Sequence, residues 1–136
     1  MITKCTTVFF SVTVDALNRR IEQMMDVHVH SERGIHFLNV TGRVDYQTVD
    51  SLQNAFEKSL QSGRTRIVLN LADALLIDSS GISTMIRALM RARSYGGDVK
   101  LAGMRDNLLS LFHTSSLQVT FEIYPSNEAA ASAFPA

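Results

Sequence analysis

Arg66-Ile67-Val68-Leu69-Asn70-Leu71, followed shortly by Ile77-Asp78-Ser79-Ser80-Gly81-Ile82, sets the architecture of this chain. The first run is short, uninterrupted and bounded by polar residues, the pattern of a strand covered on both faces. Helices must therefore lie against the sheet that contains it. The second run turns directly into a helix, because Ile82, Met85, Ile86, Leu89 and Met90 recur at i, i+3, i+4, i+7 and i+8. Gly96-Gly97 closes that helix, and its methionines read as core filler.

Upstream, Val27 and Val29 alternate with His28 and His30, a strand with one wet face. Glu32-Arg33-Gly34 supplies a turn into a second strand, Ile35 to Thr41, which is apolar on both faces and so belongs inside the sheet. Val49, Leu52, Phe56 and Leu60 follow at helical spacing, with Gly63 as the end signal. Downstream, Val99 to Ala102 reads as a fourth strand and Leu108 to Phe112 as a short helix. The alternation of Val119, Phe121 and Ile123 predicts a fifth strand, and Ser126 is placed to cap a last helix to about Phe134. The sum is a single α/β domain over residues 25–136, a mixed sheet of about five strands with an N-terminal hairpin and about four helices.

Residues 1–24 are read as a poorly structured extension. Met24-Met25 stands just before the first strand, and Arg19-Arg20 can be encoded as AGGAGG, a ribosome-binding sequence, so translation is expected to begin at one of those methionines. Val8 to Val14 is too short for a membrane span and has no cleavage site of small residues after it. The 136-residue chain carries 13 basic and 13 acidic residues, so nothing neutralises a phosphate backbone or an anionic membrane, and neither nucleic acid nor membrane insertion is expected. One cysteine, Cys5, excludes an internal disulfide and fits a cytoplasmic protein.

Chemistry belongs at Asp78-Ser79-Ser80-Gly81. Two hydroxyls and a carboxylate sit at a helix N-terminus, where unpaired N–H groups and the helix dipole favour negative charge. The plain reading is that Asp78 or Ser79 caps the helix. A phosphate would add roughly −1.5 to −2 charge beside Asp78 and change whatever surface the turn presents. No G-x-S-x-G elbow surrounds Ser79, no P-loop or dinucleotide fingerprint occurs, and the paired acids and lysine of a receiver domain are missing. No enzyme and no cofactor are therefore expected. His28 and His30 share a strand face but lack a third ligand, so no metal site is expected either.

Leu69-Asn70-Leu71 with Ile77-Asp78-Ser79-Ser80-Gly81-Ile82 resembles the signature of STAS domains of the anti-sigma-factor antagonist branch. Thr41-Gly42-Arg43-Val44-Asp45 is similar to the family's T-G-x-x-D, and Gly96-Gly97, Leu111-Phe112, Ser116-Leu117 and Ser126 with Glu128 and Ala129 extend the likeness over about residues 26–134. Ser116 departs from it, since many relatives have glycine there. The resemblance implies that Ser79 is a phosphoacceptor, that Asp78, Ser80 and Gly81 complete the switch motif, and that Asp45 lies near the acceptor. It implies two partners, a serine-kinase anti-sigma factor bound by the unphosphorylated form and a metal-dependent serine/threonine phosphatase that resets the switch. Exposed Asp45, Tyr46, Ser83, Thr84 and Arg87 around Ser79 and Ser80 are the expected docking face. The alternative within the same fold is a constitutive adaptor of a transporter, a lipid-trafficking complex or a stress-sensing assembly, which is never phosphorylated.

Overall fold

Arg33 and Gly34 both take positive φ, 54° and 79°, the geometry that lets a two-residue turn follow the right-handed twist of its strands. They join β1 (Met25–Glu32) to β2 (Ile35–Val44). The computed structural model describes residues 25–135. The readings made for residues 1–24, including the start at Met24 or Met25 and the role of Cys5, lie outside the described residues.

The elements then run α1 (Val49–Gln61), β3 (Arg66–Ile77), α2 (Ser79–Ser94), β4 (Asp98–Ala102), α3 (Asp106–Thr114), a 3-10 turn (Leu117–Val119), β5 (Ile123–Tyr124) and α4 (Asn127–Ser132). The sheet order is β1-β2-β3-β4-β5. The β1–β2 pair is antiparallel and the others are parallel, because each parallel strand is reached by a crossover. This is the mixed α/β sheet expected from the sequence.

Register divides the core. His30 pairs with Phe37 and Phe37 with Val68, so these residues share one face. There Ile35, Phe37, Val68 and Ala102 pack against Ala130 and Phe134 of the C-terminal segment. The opposite face carries the main core, in which Leu38, Val40, Ile67, Leu69 and Leu101 meet Leu52 and Phe56 of α1, Met85 and Leu89 of α2, and Phe112 of α3. Ile67, Val68 and Leu69 are fully buried, as a strand covered on both sides must be.

Three expectations are corrected. Val119 does not belong to a strand: Ser116 adopts a left-handed conformation (φ 61°), the chain coils as a 3-10 turn, and Val119 is 83% exposed. Of this segment Ile123 and Tyr124 alone pair with β4, while Phe121 is buried edge-to-face against Phe112. Met90 is 66% exposed rather than core, and Ile82 and Ile86 are half-buried. The buried line of α2 runs through Gly81, Thr84, Met85, Ala88, Leu89 and Ala92, where small residues let the helix approach its neighbours closely. Finally, β3 continues six residues past Leu71 to Ile77, and its extension still pairs with β2.

Lys100 was not anticipated. It is a buried lysine on the face of β4 toward α4, 3.2 Å from Asp98 Oδ2 and 2.6 Å from Glu122 Oε1. Its ammonium lies 4.8 Å from the ring centre of Phe134, a cation–π contact that holds the C-terminal segment on the sheet. Burial pulls its pKa down, but the hydrogen bonds to Glu122 and Asp98 leave it raised on balance.

Candidate functional site

The site is assembled where β2 and β3 end side by side. Val44 pairs with Ile77, and the Asp78 N–H donates to the Val44 carbonyl at 2.9 Å. Asp78 itself is extended (φ −96°, ψ −174°), and the helix begins at Ser79. The Asp78 carboxylate does two jobs. Its Oδ1 accepts from the N–H groups of Ser80 and Gly81 at 2.9 and 3.1 Å, satisfying donors that the first turn leaves orphaned. Its Oδ2 accepts from the Tyr46 N–H at 3.2 Å, tying the loop after β2 to the start of α2.

That loop is ordered from within. Asp45 Oδ1 accepts from the N–H groups of Gln47 and Thr48 at 3.0 and 3.2 Å, and the Thr48 hydroxyl donates to the Arg43 carbonyl at 2.6 Å. Asp45 is therefore a turn-forming residue first, a role its position before Gln47 and Thr48 permits through an Asx turn. Tyr46 projects outward, 73% exposed.

Gly81 is the point of closest approach. A Cβ there would stand 2.6 Å from Val44 Cγ1 and 2.8 Å from Ile77 Cγ2, so only glycine lets α2 settle on the strand ends. The cap and the glycine together fix where the first turn of α2, and with it Ser79, sits on the strand ends. Ser79 occupies the first helical position and is exposed, whereas Ser80 is half-buried.

Because Asp78 already accepts from the amides of Ser80 and Gly81, a phosphate on Ser79 would not inherit those donors. It would stand outside the cap beside a carboxylate, presented to whatever docks there.

Of the expected docking residues, Ser83 and Arg87 lie exposed one and two turns beyond Ser79, on the same side of α2. Thr84 corrects the reading: it is 4% exposed. It belongs to the buried line against α1, and its hydroxyl accepts from Arg87 Nη2 at 3.2 Å. Sequence reasoning also missed Glu57, which Arg91 engages across the α1–α2 junction. That hydrogen bond holds the Glu57 carboxyl below its ordinary pKa range. Val44, the wall against which Gly81 packs, was legible only as a letter inside a motif.

His28 and His30 are exposed on β1; His28 Nε2 lies 3.1 Å from Asp26 Oδ2 and His30 stacks on Phe37. Among the described residues no group of three His, Cys, Asp or Glu side chains could hold a metal ion, and no helix is long and apolar enough to cross a membrane.

The order of elements, the crossover sheet and the capped Asp78-Ser79-Ser80-Gly81 turn define a STAS domain. The STAS domain family model matches residues 26–130, and the chain belongs to that family. Solved structures of similar fold include an anti-sigma factor antagonist from Mycobacterium paratuberculosis. It is 19% identical, with a TM-score of 0.73 over 80% of this chain and 92% of that one. The phosphorylated form of the Bacillus cell fate determinant SpoIIAA is 17% identical, with a TM-score of 0.62 over 79% of this chain and 97% of that one. The anti-sigma factor antagonist SpoIIAA in its unphosphorylated form is also 17% identical, with a TM-score of 0.63 over 78% of this chain and 94% of that one. At these identities the likeness is one of fold.

Proposed function

We propose that this chain is a non-catalytic, cytoplasmic anti-sigma-factor antagonist whose switch is phosphorylation of Ser79. The observation that carries the reading is the exposed Ser79 hydroxyl at the first position of α2, in a turn immobilised by the Asp78 cap and by Gly81. A kinase substrate needs an accessible hydroxyl, and a binding switch needs that hydroxyl on a surface of defined shape; this turn has both. Unphosphorylated, the face of Tyr46, Ser79, Ser83 and Arg87, with Asp45 and Ser80 behind it, binds a serine-kinase anti-sigma factor. The kinase supplies ATP, magnesium and the catalytic base.

Phosphorylation brings a second anionic group beside Asp78 in a surface that must be desolvated on docking. A mismatch of about 3 kcal/mol weakens binding by roughly a hundredfold. A metal-dependent serine phosphatase then restores the binding form. Supporting the assignment to this branch are the intact Asp78-Ser79-Ser80-Gly81 motif and the similarity in fold to antagonists solved with and without phosphate.

The test is a binding titration with candidate serine-kinase anti-sigma factors. Wild type and Ser79→Ala are expected to bind with similar affinity and Ser79→Asp far more weakly. Equal binding by all three variants would favour the constitutive adaptor, in which this turn carries no switch.

A further inference from the structure

β1 is the outer strand of the sheet, and among the described residues only β2 pairs with it. In a two-residue hairpin the residues flanking the turn form a hydrogen-bonded pair, here Glu32 with Ile35. Alternation then sends the N–H and C=O groups of Val27, Val29 and Ser31 outward. Asp26 Oδ1 confirms the direction by accepting from the Val27 N–H at 3.0 Å.

This edge spans eight residues without bulge, lysine or proline, the devices by which exposed edges are commonly blocked. Val29 is 49% exposed on it. Beside it, Val27, Val29, Asn54 and Ala55 line a shallow hollow between β1 and α1.

We propose that the outer edge of β1 pairs antiparallel with the same edge of a second copy of this chain. The strand is self-complementary in one register. With His28 opposite His28 of the second copy, Val27 faces Val29 and Asp26 faces His30, twice by symmetry. The Val27 N–H then donates to the Val29 carbonyl of the second copy. Asp26 is released to accept from the imidazole N–H of His30 across the junction. The valine pairs cover the surface that Val29 now exposes. Shifting the centre to Val29 would put Asp26 opposite Glu32, and like charges in directly opposed positions disfavour that alignment.

Sedimentation velocity of the full chain over a concentration series tests this, with Val29→Pro as the decisive variant. Proline removes the outward N–H and keeps every donor of the β2 ladder, while fixing its own φ at about −65°. Wild type is expected to show a monomer–dimer equilibrium. Val29→Pro should weaken it roughly 30-fold, since symmetry removes two backbone hydrogen bonds per dimer. Val29→Lys, which keeps the N–H but puts a charge into the valine pair, should also weaken it. A wild-type chain that stays monomeric to its solubility limit overturns the proposal. So does a dimer indifferent to both variants.

Discussion

Substituting Gly81 by alanine sets two effects of known size against each other. An alanine inside a helix is better than glycine by up to about 1 kcal/mol, so on propensity alone Gly81→Ala should stabilise the protein. The new Cβ, however, would lie 2.6 Å from Val44 Cγ1 and 2.8 Å from Ile77 Cγ2, against an optimal carbon–carbon separation of about 3.5–4.0 Å. A displacement on the order of 1 Å is therefore needed. Neither neighbour yields cheaply, because Val44 and Ile77 are buried, branched and held in adjoining strands. Overpacking of this kind costs about 1–3 kcal/mol and sometimes more.

The cost wins, and Gly81→Ala should lose about 1–2 kcal/mol net, a melting temperature lower by roughly 4–8 °C for a domain of this size. Thermal unfolding followed by circular dichroism, paired with urea titration, measures it. Since α2 must lift from the strand ends, the variant should also bind the proposed anti-sigma partner less tightly than wild type. A variant as stable as wild type or more so would refute the argument that Gly81 sets the seat of α2.

Asp78→Ala should lose about 1–2 kcal/mol by urea unfolding, and Asp78→Asn less, because asparagine keeps the cap acceptor but turns an amide NH2 toward the Tyr46 N–H. Equal losses for the two would assign the effect to the charge and the bond from the Tyr46 N–H rather than to capping. Lys100→Met keeps the stem but deprives Asp98 and Glu122 of the ammonium and Phe134 of its cation; a loss of about 2 kcal/mol is expected, read from the same titration. His36 is shifted below the ordinary imidazole value of 6.5 by burial first and by Arg64 second. The unfolded chain therefore binds that proton more readily. Stability contributed by neutral His36 is fully present above the unfolded value and is lost as pH falls toward the folded one. His36→Gln should flatten the pH dependence of stability from about pH 7 downward, and an unchanged slope would sink this assignment.

The sheet was legible because β2 carries apolar residues on both faces and β3 the uninterrupted run Ile67-Val68-Leu69, and because Gly63 and Gly96 take the left-handed conformation a helix end calls for. The fifth strand misled because alternation of Val119, Phe121 and Ile123 is only a projection of side chains; the left-handed turn at Ser116, which breaks the segment, leaves no trace in hydropathy. For α2, the apolar count favoured Met90, but packing against α1 selected small residues, so the helix is turned toward Thr84 and Ala88 and away from Met90. The same rotation removed Thr84 from the surface. At the site, the cap was readable in advance as Asp78 or Ser79, since capping is a property of residue type, whereas Gly81 was legible only as a letter of the motif and its close approach to Val44 and Ile77 was not. The bond from the Tyr46 N–H to Asp78 was not, because it joins segments 32 residues apart through a backbone donor that every sequence has. The paired burial of Lys100 was hidden in part for a similar reason: Asp98 is its neighbour on β4, but Glu122 lies 22 residues further along the chain.

Intact mass spectrometry after incubation with a serine-kinase anti-sigma factor and ATP reads out whether Ser79 receives the phosphate. Wild type should gain the mass of one phosphate, localised to Ser79 by fragmentation, and Ser79→Ala should gain none. A single phosphate that appears equally on wild type and Ser79→Ala would contradict the account.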